Sequence, residues 1–321
     1  MTAESQPTTS ANPSRRKCAT MEVLNRLLEQ DDTGNYRRAL GDLEEKTRRR
    51  FASLMAFRAA GPIAGPIRIP IVVHVVYHTA EDNISKAQID SQIDALNRDY
   101  AATNSDKSKT PSCWAGLAID SQIRFLLASR DPSGNPTTGV TRTQTQVLSF
   151  PADDSVKSSS SGGADPWPSD TYLNLWVCSL RGGLLGYAQF PGGPPETDGV
   201  VISNTAFGTT GTAAAPFNLG RTATHECGHW LNLRHIWGDT EDCTGTDFVD
   251  DTPNAQYPNY NKPIFPHVSC NNGPNGDMFM NYMDYVDDDT MVMFTPGQVV
   301  RMHAALEDRR KQLVVNALMV T

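Results

Sequence analysis

Apolar residues recur at helical spacing in the first sixty residues, within a background of dense charge. Leucines, methionines and a phenylalanine follow this spacing between Met21 and Leu28, and again between Leu40 and Met55. Such a stripe is typical of an amphipathic helix that packs on one face. The pattern therefore predicts two helices within residues 19–58, and the Gly/Pro-rich residues 59–66, which cannot continue a helix, mark a domain boundary.

After residue 66 the pattern changes to strands and helices in succession. Residues 67–77 are apolar and β-branched, which predicts a buried central strand. Residues 86–100 carry isoleucines and a leucine at helical spacing, which predicts a helix. Further strands are predicted at residues 123–128, 172–179 and 199–203, with a Ser/Gly/Pro-rich loop at residues 155–168.

Regular patterning is sparse beyond residue 238, until residues 296–313 predict a closing helix. The sheet is therefore expected to be complete before residue 220. The fold class is predicted as α/β, or α+β, with a twisted mixed sheet, packed helices and an irregular C-terminal part that ends in a helix.

Composition and charge argue against several classes of protein. With 321 residues, one large domain and a shorter appended segment are the natural division. The formal net charge of -8 argues against binding to a phosphate backbone, so nucleic acid is not an expected partner. The sequence contains no run of 18 or more apolar residues, so no membrane span is predicted. Residues 1–17 are polar and lack the apolar region of a signal peptide.

The candidate chemistry lies in His225-Glu226-Cys227-Gly228-His229. A helix opened by Thr222 or Thr224 would place the two histidines one turn apart on one face, where both can bind one metal ion. Glu226 would lie about 100° round the helix from His225, near a water molecule at the metal but not a ligand itself. That position suits a general base.

A catalytic zinc site needs a third protein ligand and one open position, and His235 is the nearest candidate. Six residues correspond to about 600° of helical rotation, so the chain must leave the helix for His235 to turn back. Asn232 is the non-glycine residue type that best tolerates the positive φ this requires. A different metallopeptidase class would take a downstream glutamate instead, for which Glu241 and Glu307 are available.

These residues carry a family resemblance. The pattern HExxHxxNxxH in residues 225–235 is similar to the metzincin zinc motif, with Asn232 as in the pappalysin branch. The residues NYMDY at 281–285 resemble the methionine turn of pappalysins. The longer run 224–239 is similar to ulilysin-like pappalysins, and the match covers most of residues 67–313. The resemblance implies a metzincin-like catalytic domain, in which Met283 supports the zinc site and Tyr285 donates a hydrogen bond to the oxyanion; a buried core tyrosine is the alternative.

The resemblance also implies a latent proform. Cys18 would be a cysteine switch that gives zinc its fourth ligand, although an inert free cysteine remains open. Residues 1–60 are then the inhibitory prosegment and residues 61–321 the catalytic domain, divided into an N-terminal subdomain to about residue 235 and a C-terminal subdomain 236–321. Removal of the prosegment is predicted near Phe57 and Arg58.

Six acidic residues without a basic neighbour lie within residues 239–251, which favours a bound cation, although a solvated acidic loop is equally compatible. The resemblance implies structural calcium there, and Asp247, Asp251 and Thr252 are the predicted ligands. Six cysteines are too few for a disulfide scaffold in a chain of this length. The resemblance further implies a disulfide between Cys243 and Cys270.

The predicted function is that of a secreted zinc endopeptidase acting on proteins or peptides, made as a latent zymogen and expected to be a monomer. Asp287, Asp288 and Asp289 could line the pocket beyond the scissile bond and favour Arg or Lys there, or could bind solvent or calcium. The strand at residues 199–203 could pair with an extended substrate. The alternative from another class is a non-catalytic module in which metals only hold loops together; the intact Glu226 argues against it.

Overall fold

The structure is a computed structural model that describes residues 15–56 and 66–320. The predicted processing bond at Phe57 and Arg58 lies outside these residues. Among the helices of the described residues, none is long and apolar enough to cross a membrane.

Residues 15–56, called the N-terminal segment below, contain the two predicted helices: α1 (Thr20–Glu29) and α2 (Asn35–Ala56). The buried face of α1 includes Val23, Leu24 and Leu27, which belong to one apolar cluster with residues of the sheet. Helix α2 packs instead on a helix near the other end of the chain. The segment therefore covers the larger domain at two separate places.

One six-stranded sheet forms the centre of the fold, in the order β2-β1-β4-β6-β5, with β3 also paired to β1. Its strands are β1 (Ile67–Tyr77), β2 (Ile123–Leu127), β3 (Val140–Gln144), β4 (Leu173–Cys178), β5 (Gly186–Ala188) and β6 (Val200–Ser203). All pairs are parallel except β5 with β6. Strand β1 is long enough to pair with β2 along its first half and with β3 along its second. Its near-continuous apolar run fits a strand buried on both faces.

The sheet corrects one expectation. The predicted strands at residues 123–128, 172–179 and 199–203 are confirmed as β2, β4 and β6, but β3 and β5 were not predicted. Because β6 lies between β4 and β5, its backbone is already paired on both sides. The edge that is open to an extended peptide is β5, so β6 cannot be the strand that pairs with a substrate.

Two helices bring the site residues onto the sheet: α3 (Lys86–Tyr100), which was predicted, and α4 (Arg221–Trp230). Helix α4 begins after Gly220, so the expectation of a cap at Thr222 or Thr224 was wrong. The Thr224 hydroxyl donates instead to the buried carboxylate of Asp99 on α3, at 2.6 Å. This hydrogen bond contributes to fixing the two helices against each other.

Beyond α4 the chain is irregular, as predicted. It contains β7 (Tyr260–Asn261), β8 (Tyr285–Val286), α5 (Pro296–Glu307) and α6 (Lys311–Val320). The predicted single closing helix is therefore two helices. The break lets the Arg310 guanidinium bind both carboxylate oxygens of Asp198, at 2.6 and 2.9 Å, while it stacks 3.6 Å from the centre of the Trp230 ring.

Cys243 and Cys270 form a disulfide, as the resemblance implied. It closes a stretch of 27 residues within the irregular part. In the chain-entropy model a crosslink of that length stabilises the fold by about 3.5 kcal/mol.

Candidate active site

Three histidines converge at the end of α4. His225 and His229 are one turn apart on that helix, and their Nε2 atoms are 3.1 Å from each other. The Nε2 atom of His235 is also 3.1 Å from that of His229. Two zinc–nitrogen bonds of about 2.0 to 2.1 Å at a tetrahedral angle separate the nitrogens by about 3.3 Å. The three imidazoles are therefore spaced as ligands of one metal ion.

The turn after α4 explains how His235 reaches this position. Asn232 has a φ of +74°, in the left-handed region that the sequence required of it. The amide of Leu233 then donates back to the carbonyl of Gly228, at 2.9 Å, which closes the helix end. The chain reverses there and brings His235 back under the helix.

Each imidazole is held by a partner at its other ring nitrogen. His225 Nδ1 lies 2.7 Å from the Tyr282 carbonyl oxygen, and His229 Nδ1 lies 2.8 Å from that of Leu233. Because a carbonyl oxygen can only accept, these Nδ1 atoms carry the protons and the Nε2 lone pairs face one another. The Asp239 carboxylate, 2.5 Å away, plays the same part for His235.

Electrostatics keep the first two imidazoles neutral. Burial lowers the pKa of both His225 and His229 well below its ordinary value, and the neighbouring rings lower it further. A neutral imidazole retains the lone pair that a metal needs.

Cys18 of the N-terminal segment completes the group. Its Sγ and one nitrogen from each of the three histidines lie within 4.8 Å of one another, and within the described part of the chain this is the one such cluster of metal-binding side chains. Burial beside Glu226 raises the pKa of the thiol, whereas a divalent cation among these residues would favour the thiolate. The donor set of three imidazoles and one sulfur fits zinc.

Glu226 is buried next to the cluster. It accepts hydrogen bonds from the Thr20 hydroxyl at 2.8 Å and the Cys18 thiol at 3.4 Å. Burial raises the pKa of Glu226 to about 7, although both hydrogen bonds oppose the rise. Thr20 was not among the predicted site residues, because its role depends on a contact 206 residues away.

The methionine turn lies directly beneath α4. A side chain on Gly228 would place its Cβ 2.5 Å from the Met283 sulfur, so only glycine permits this approach. The turn also supplies the Tyr282 carbonyl that orients His225. The Met283 side chain therefore packs directly against α4.

The Tyr285 ring lies beside the histidines, with its centre 4.9 Å from that of His235. Its hydroxyl donates to the Cys18 carbonyl oxygen at 3.4 Å. Burial raises the pKa of this phenol well above its ordinary value, with Cys18 and Glu226 adding to the rise. The group therefore stays protonated and available as a donor.

Comparison with known proteins decides the family. The family model described as pregnancy-associated plasma protein-A, Peptidase_M43, matches residues 157–307. An extracellular metalloprotease of Trichophyton verrucosum is 30% identical over 226 residues, which cover 68% of this chain and 70% of that protein. The chain belongs to the pappalysin family.

Two solved structures from Tannerella forsythia agree with this membership. Mature mirolysin in complex with a cleaved peptide is 49% identical, with a TM-score of 0.78, and the match covers 81% of this chain and 99% of that one. A promirolysin variant is 43% identical, with a TM-score of 0.84, covering 95% and 99%. These similarities confirm the pappalysin family and the metzincin-like fold, so the histidine cluster is a zinc site.

Matches to many curated pappalysin relatives are shorter. An extracellular metalloprotease of Pyricularia oryzae is 43% identical over 137 residues, which is 40% of this chain and 46% of that protein. The chain therefore spans about half the length of such relatives.

In this pappalysin chain the N-terminal segment lies along the edge strand. Cys18 and Gly186 form a parallel bridge, and the Leu185 amide donates to the Lys17 carbonyl at 3.0 Å. The Ala188 amide donates to the Thr20 hydroxyl. The segment thus occupies the open edge of β5 in parallel orientation while it delivers Cys18 to the histidines.

Arg16 fills a buried pocket next to the site. Its guanidinium forms a 2.6 Å ion pair with Asp288, contacts the Thr222 hydroxyl and the Val286 carbonyl, and lies 5.0 Å from the centre of the Phe217 ring. Of the three predicted aspartates, Asp288 therefore forms the pocket. Asp289 pairs with Lys262 at the surface, and the Asp287 carboxylate has no hydrogen bond to Arg16.

The predicted calcium ligands Asp247, Asp251 and Thr252 all form hydrogen bonds in the acidic loop. Asp247 is buried and accepts from the Thr252 hydroxyl at 2.7 Å. The carboxylate of Asp251 instead accepts from Thr295 and from the Gly297 amide, at the start of α5. The two aspartates thus have separate partners.

Neither glutamate proposed as an alternative third ligand is near the cluster. Glu307 forms an ion pair with Arg50, and Glu241 is exposed on the acidic loop. The His235 imidazole lies in the cluster instead.

Proposed function

We propose that this chain is the latent form of a zinc endopeptidase, with residues 1–60 as its prosegment and residues 61–321 as its catalytic domain. One observation carries the proposal: Cys18 lies within the same cluster as His225, His229 and His235. A metal site needed only to hold loops together would have no use for the buried carboxylate of Glu226 beside it. The intact Glu226 and Tyr285 favour catalysis over the non-catalytic binding module.

The chemistry follows from the residues around the cluster. Bound zinc would supply the Lewis acidity that activates a water molecule and polarises a peptide carbonyl. Glu226 accepts the proton of that water as it attacks, and then delivers the proton to the leaving amine. The position of the carboxylate directly beside the histidine cluster suits both roles. Tyr285, held protonated, donates a hydrogen bond to the oxyanion.

Access to this chemistry requires the prosegment to leave. Cys18 takes the position that a water molecule needs, while Thr20 and the thiol both bind Glu226. In this arrangement Cys18 and Thr20 both bind the carboxylate that must act as the base. The intact chain is therefore proposed to be inactive.

Cys18→Ser in the uncleaved chain should raise peptidase activity at least about 10-fold, because a neutral hydroxyl is a much weaker zinc ligand than a thiolate. Activity on a quenched peptide is measured before any new N-terminus appears. Cys113→Ser, which replaces an exposed free cysteine, is the matched control and should change nothing. Equal activity of the parent chain and Cys18→Ser would rule out the switch.

We propose that the mature enzyme prefers Arg, and after it Lys, on the C-terminal side of the cut. The support is the buried Asp288 pocket, which already holds an arginine. A substrate that pairs antiparallel to β5 would run opposite to the prosegment. The residue after its scissile bond would then enter the pocket that Arg16 occupies in the latent chain. Antiparallel pairing is also slightly the more stable arrangement.

Calcium on the acidic loop is a further part of the proposal. Asp247 and Thr252 offer a buried carboxylate and hydroxyl that fit a hard cation, whereas both Asp251 oxygens are already acceptors at α5. Burial raises the pKa of Asp247 to about 7. A group whose pKa is raised on folding costs stability as pH rises from about 4 to about 7. A bound cation would offset that cost.

Added calcium is therefore expected to raise the melting temperature more at pH 8 than at pH 6, because the proton and the ion compete for Asp247. Thermal shifts at both pH values, with zinc content followed in parallel, measure this. In Asp247→Asn the calcium shift should disappear, whereas Asp242→Asn, an exposed loop aspartate, is the control. A shift that is absent, or that persists in Asp247→Asn, would exclude Asp247 as a ligand.

We also propose that the protein acts outside the cell, since several relatives are named extracellular metalloproteases. A monomer remains the expected oligomeric state. Maturation is proposed at Phe57-Arg58, where an arginine would follow the cut as the Asp288 pocket favours. Terminal sequencing of the matured protein should give an N-terminus at or near Arg58. A mature N-terminus elsewhere would reject this processing site.

A further inference from the structure

A second buried ion pair joins the N-terminal segment to the catalytic domain, far along the chain from Cys18. Glu44 on α2 binds Arg301 on α5 through both carboxylate oxygens, at 2.6 and 2.9 Å. The Arg301 side chain is 1% exposed and that of Glu44 is 24% exposed. Two parallel charge-assisted hydrogen bonds in a buried place are a strong and directional contact.

Residues just after α4 lie around Arg301 and form with it a group that we call the cradle: Asn232, Arg234 and Arg301. Arg301 Nε donates to the Asn232 carbonyl at 3.2 Å, and the Asn232 side-chain amide lies 3.5 Å from Glu44. The guanidiniums of Arg234 and Arg301 lie 5.5 and 5.6 Å from the centre of the Phe248 ring. Arg301 and the Asn232 amide therefore contact the Glu44 carboxylate, and the charge of Arg234 acts on it from nearby.

The two arginines of the cradle favour the ionised form of the Glu44 carboxyl group. Burial alone would raise the pKa of Glu44, but the hydrogen bonds and charge of Arg301, with Arg234 and Asn232, outweigh it and hold the pKa below its usual range. Burial lowers the pKa of Arg234, and the charge of Arg301 adds to this, while Glu44 opposes it. The nearby acid Asp247 binds Thr252 and the Val249 amide. Glu44 is thus the carboxylate that hydrogen-bonds to Arg301 in the described structure, and it interacts with Arg234 through charge.

The same face of α2 makes further contacts with α5 and the residues that follow it. Leu43 is buried against Ala304 and Ala305. Lys46 pairs with Asp308 at 2.5 Å, and Arg309 pairs with Asp42 at 3.2 Å. None of these residues touches the zinc cluster, so this contact can persist when the cysteine has left the metal.

We propose that Arg301, Arg234 and Asn232 form a carboxylate-binding site of the catalytic domain, and that Glu44 in this site keeps the N-terminal segment bound after the chain has been cut in residues 57–65. Cutting alone would then leave a noncovalent inhibitor in place. Release of Glu44 leaves the buried Arg301 without its carboxylate partner and Arg234 without a neighbouring negative charge, which makes dissociation costly. The inference deepens the proposed latency and rests on it for its meaning.

The test uses the full chain in a Glu226→Ala background, so that no self-cleavage occurs, with residues 59–64 replaced by the recognition sequence of a specific added protease. After the cut, native mass spectrometry follows the dissociation of the N-terminal fragment. Glu44→Gln should speed dissociation at least about 30-fold, because a buried charge pair loses one partner. Glu45→Gln is the matched control, since Glu45 is adjacent but pairs with Arg48 and Arg49 of its own helix.

The effect must also depend on the arginine. With Arg301→Gln present, Glu44→Gln should add less than about 3-fold, since the pair is already broken. Equal dissociation rates of the parent and Glu44→Gln, or a Glu44→Gln effect that persists unchanged with Arg301→Gln, would overturn the proposal. Should Glu44→Gln misfold, Glu44→Asp, which retains the charge but is too short for both contacts, replaces it with the same criteria. Failure of the proposed latency would show separately, as activity of the uncut chain with Glu226 intact.

Discussion

Replacing Glu226 with alanine in the processed enzyme is expected to lower kcat by about 10³-fold or more while zinc stays bound. The loss is expected because Glu226 both removes a proton from the attacking water and returns it to the leaving amine, and such proton transfer contributes about 10² to 10⁴-fold. The methylene stem of Glu226 lies against Gly186 of the edge strand, so the carboxylate is held in place by the sheet. Initial rates on a peptide substrate and the zinc content of each variant measure the two halves of this expectation.

The control must separate loss of the base from loss of the metal. Glu241→Ala, on the exposed acidic loop, should retain parental activity. His235→Ala should lose zinc and activity together, because its imidazole supplies a ligand atom of the cluster. A Glu226→Ala enzyme that keeps more than about one tenth of the parental kcat would show that another group moves the proton.

The parts of the site that follow helix geometry were predictable from the sequence. The four-residue interval between His225 and His229 already places both on one face of the helix. Asn232, a residue type that tolerates positive φ, predicts the chain reversal that brings His235 to them. Met283 and Tyr285 lie about fifty residues further on, and no local spacing relates them to the helix. Only the family resemblance connected them, because the turn meets α4 through tertiary packing.

Contacts between distant parts of the chain could not be predicted in this way. Arg16 and Asp288 are 272 residues apart, and Glu44 and Arg301 are 257 apart. Both Arg16 and Glu44 lie in charged stretches where a solvated residue is the ordinary expectation. Strand β5 escaped prediction for another reason: three residues are too few for a periodic pattern, and its strand character comes from pairing with β6.

Asp288→Asn in the processed enzyme is expected to lower kcat/KM for peptides with Arg after the cut by about 10² to 10³-fold. A guanidinium that enters the pocket would lose its buried ion partner, and truncating one partner of such a pair costs about 2 to 5 kcal/mol. Asparagine is nearly the same size as aspartate and can still accept from the Leu219 and Arg221 amides, which now donate to Asp288 Oδ2. The fold around the pocket should therefore survive.

The decisive quantity is the ratio of kcat/KM for peptides that differ only in having Arg or a neutral residue after the cut. A purely structural role of Asp288 would lower both values equally and leave the ratio unchanged, which would contradict the specificity proposal. Asp289→Asn is the matched control, because Asp289 pairs with Lys262 at the surface instead of with Arg16. Asp288→Asn should also weaken latency in the intact chain, because the Arg16 guanidinium would lose the charged partner that Asp288 provides. Specificity and latency are thus expected to change together, because one aspartate serves the substrate in the mature enzyme and the prosegment before it.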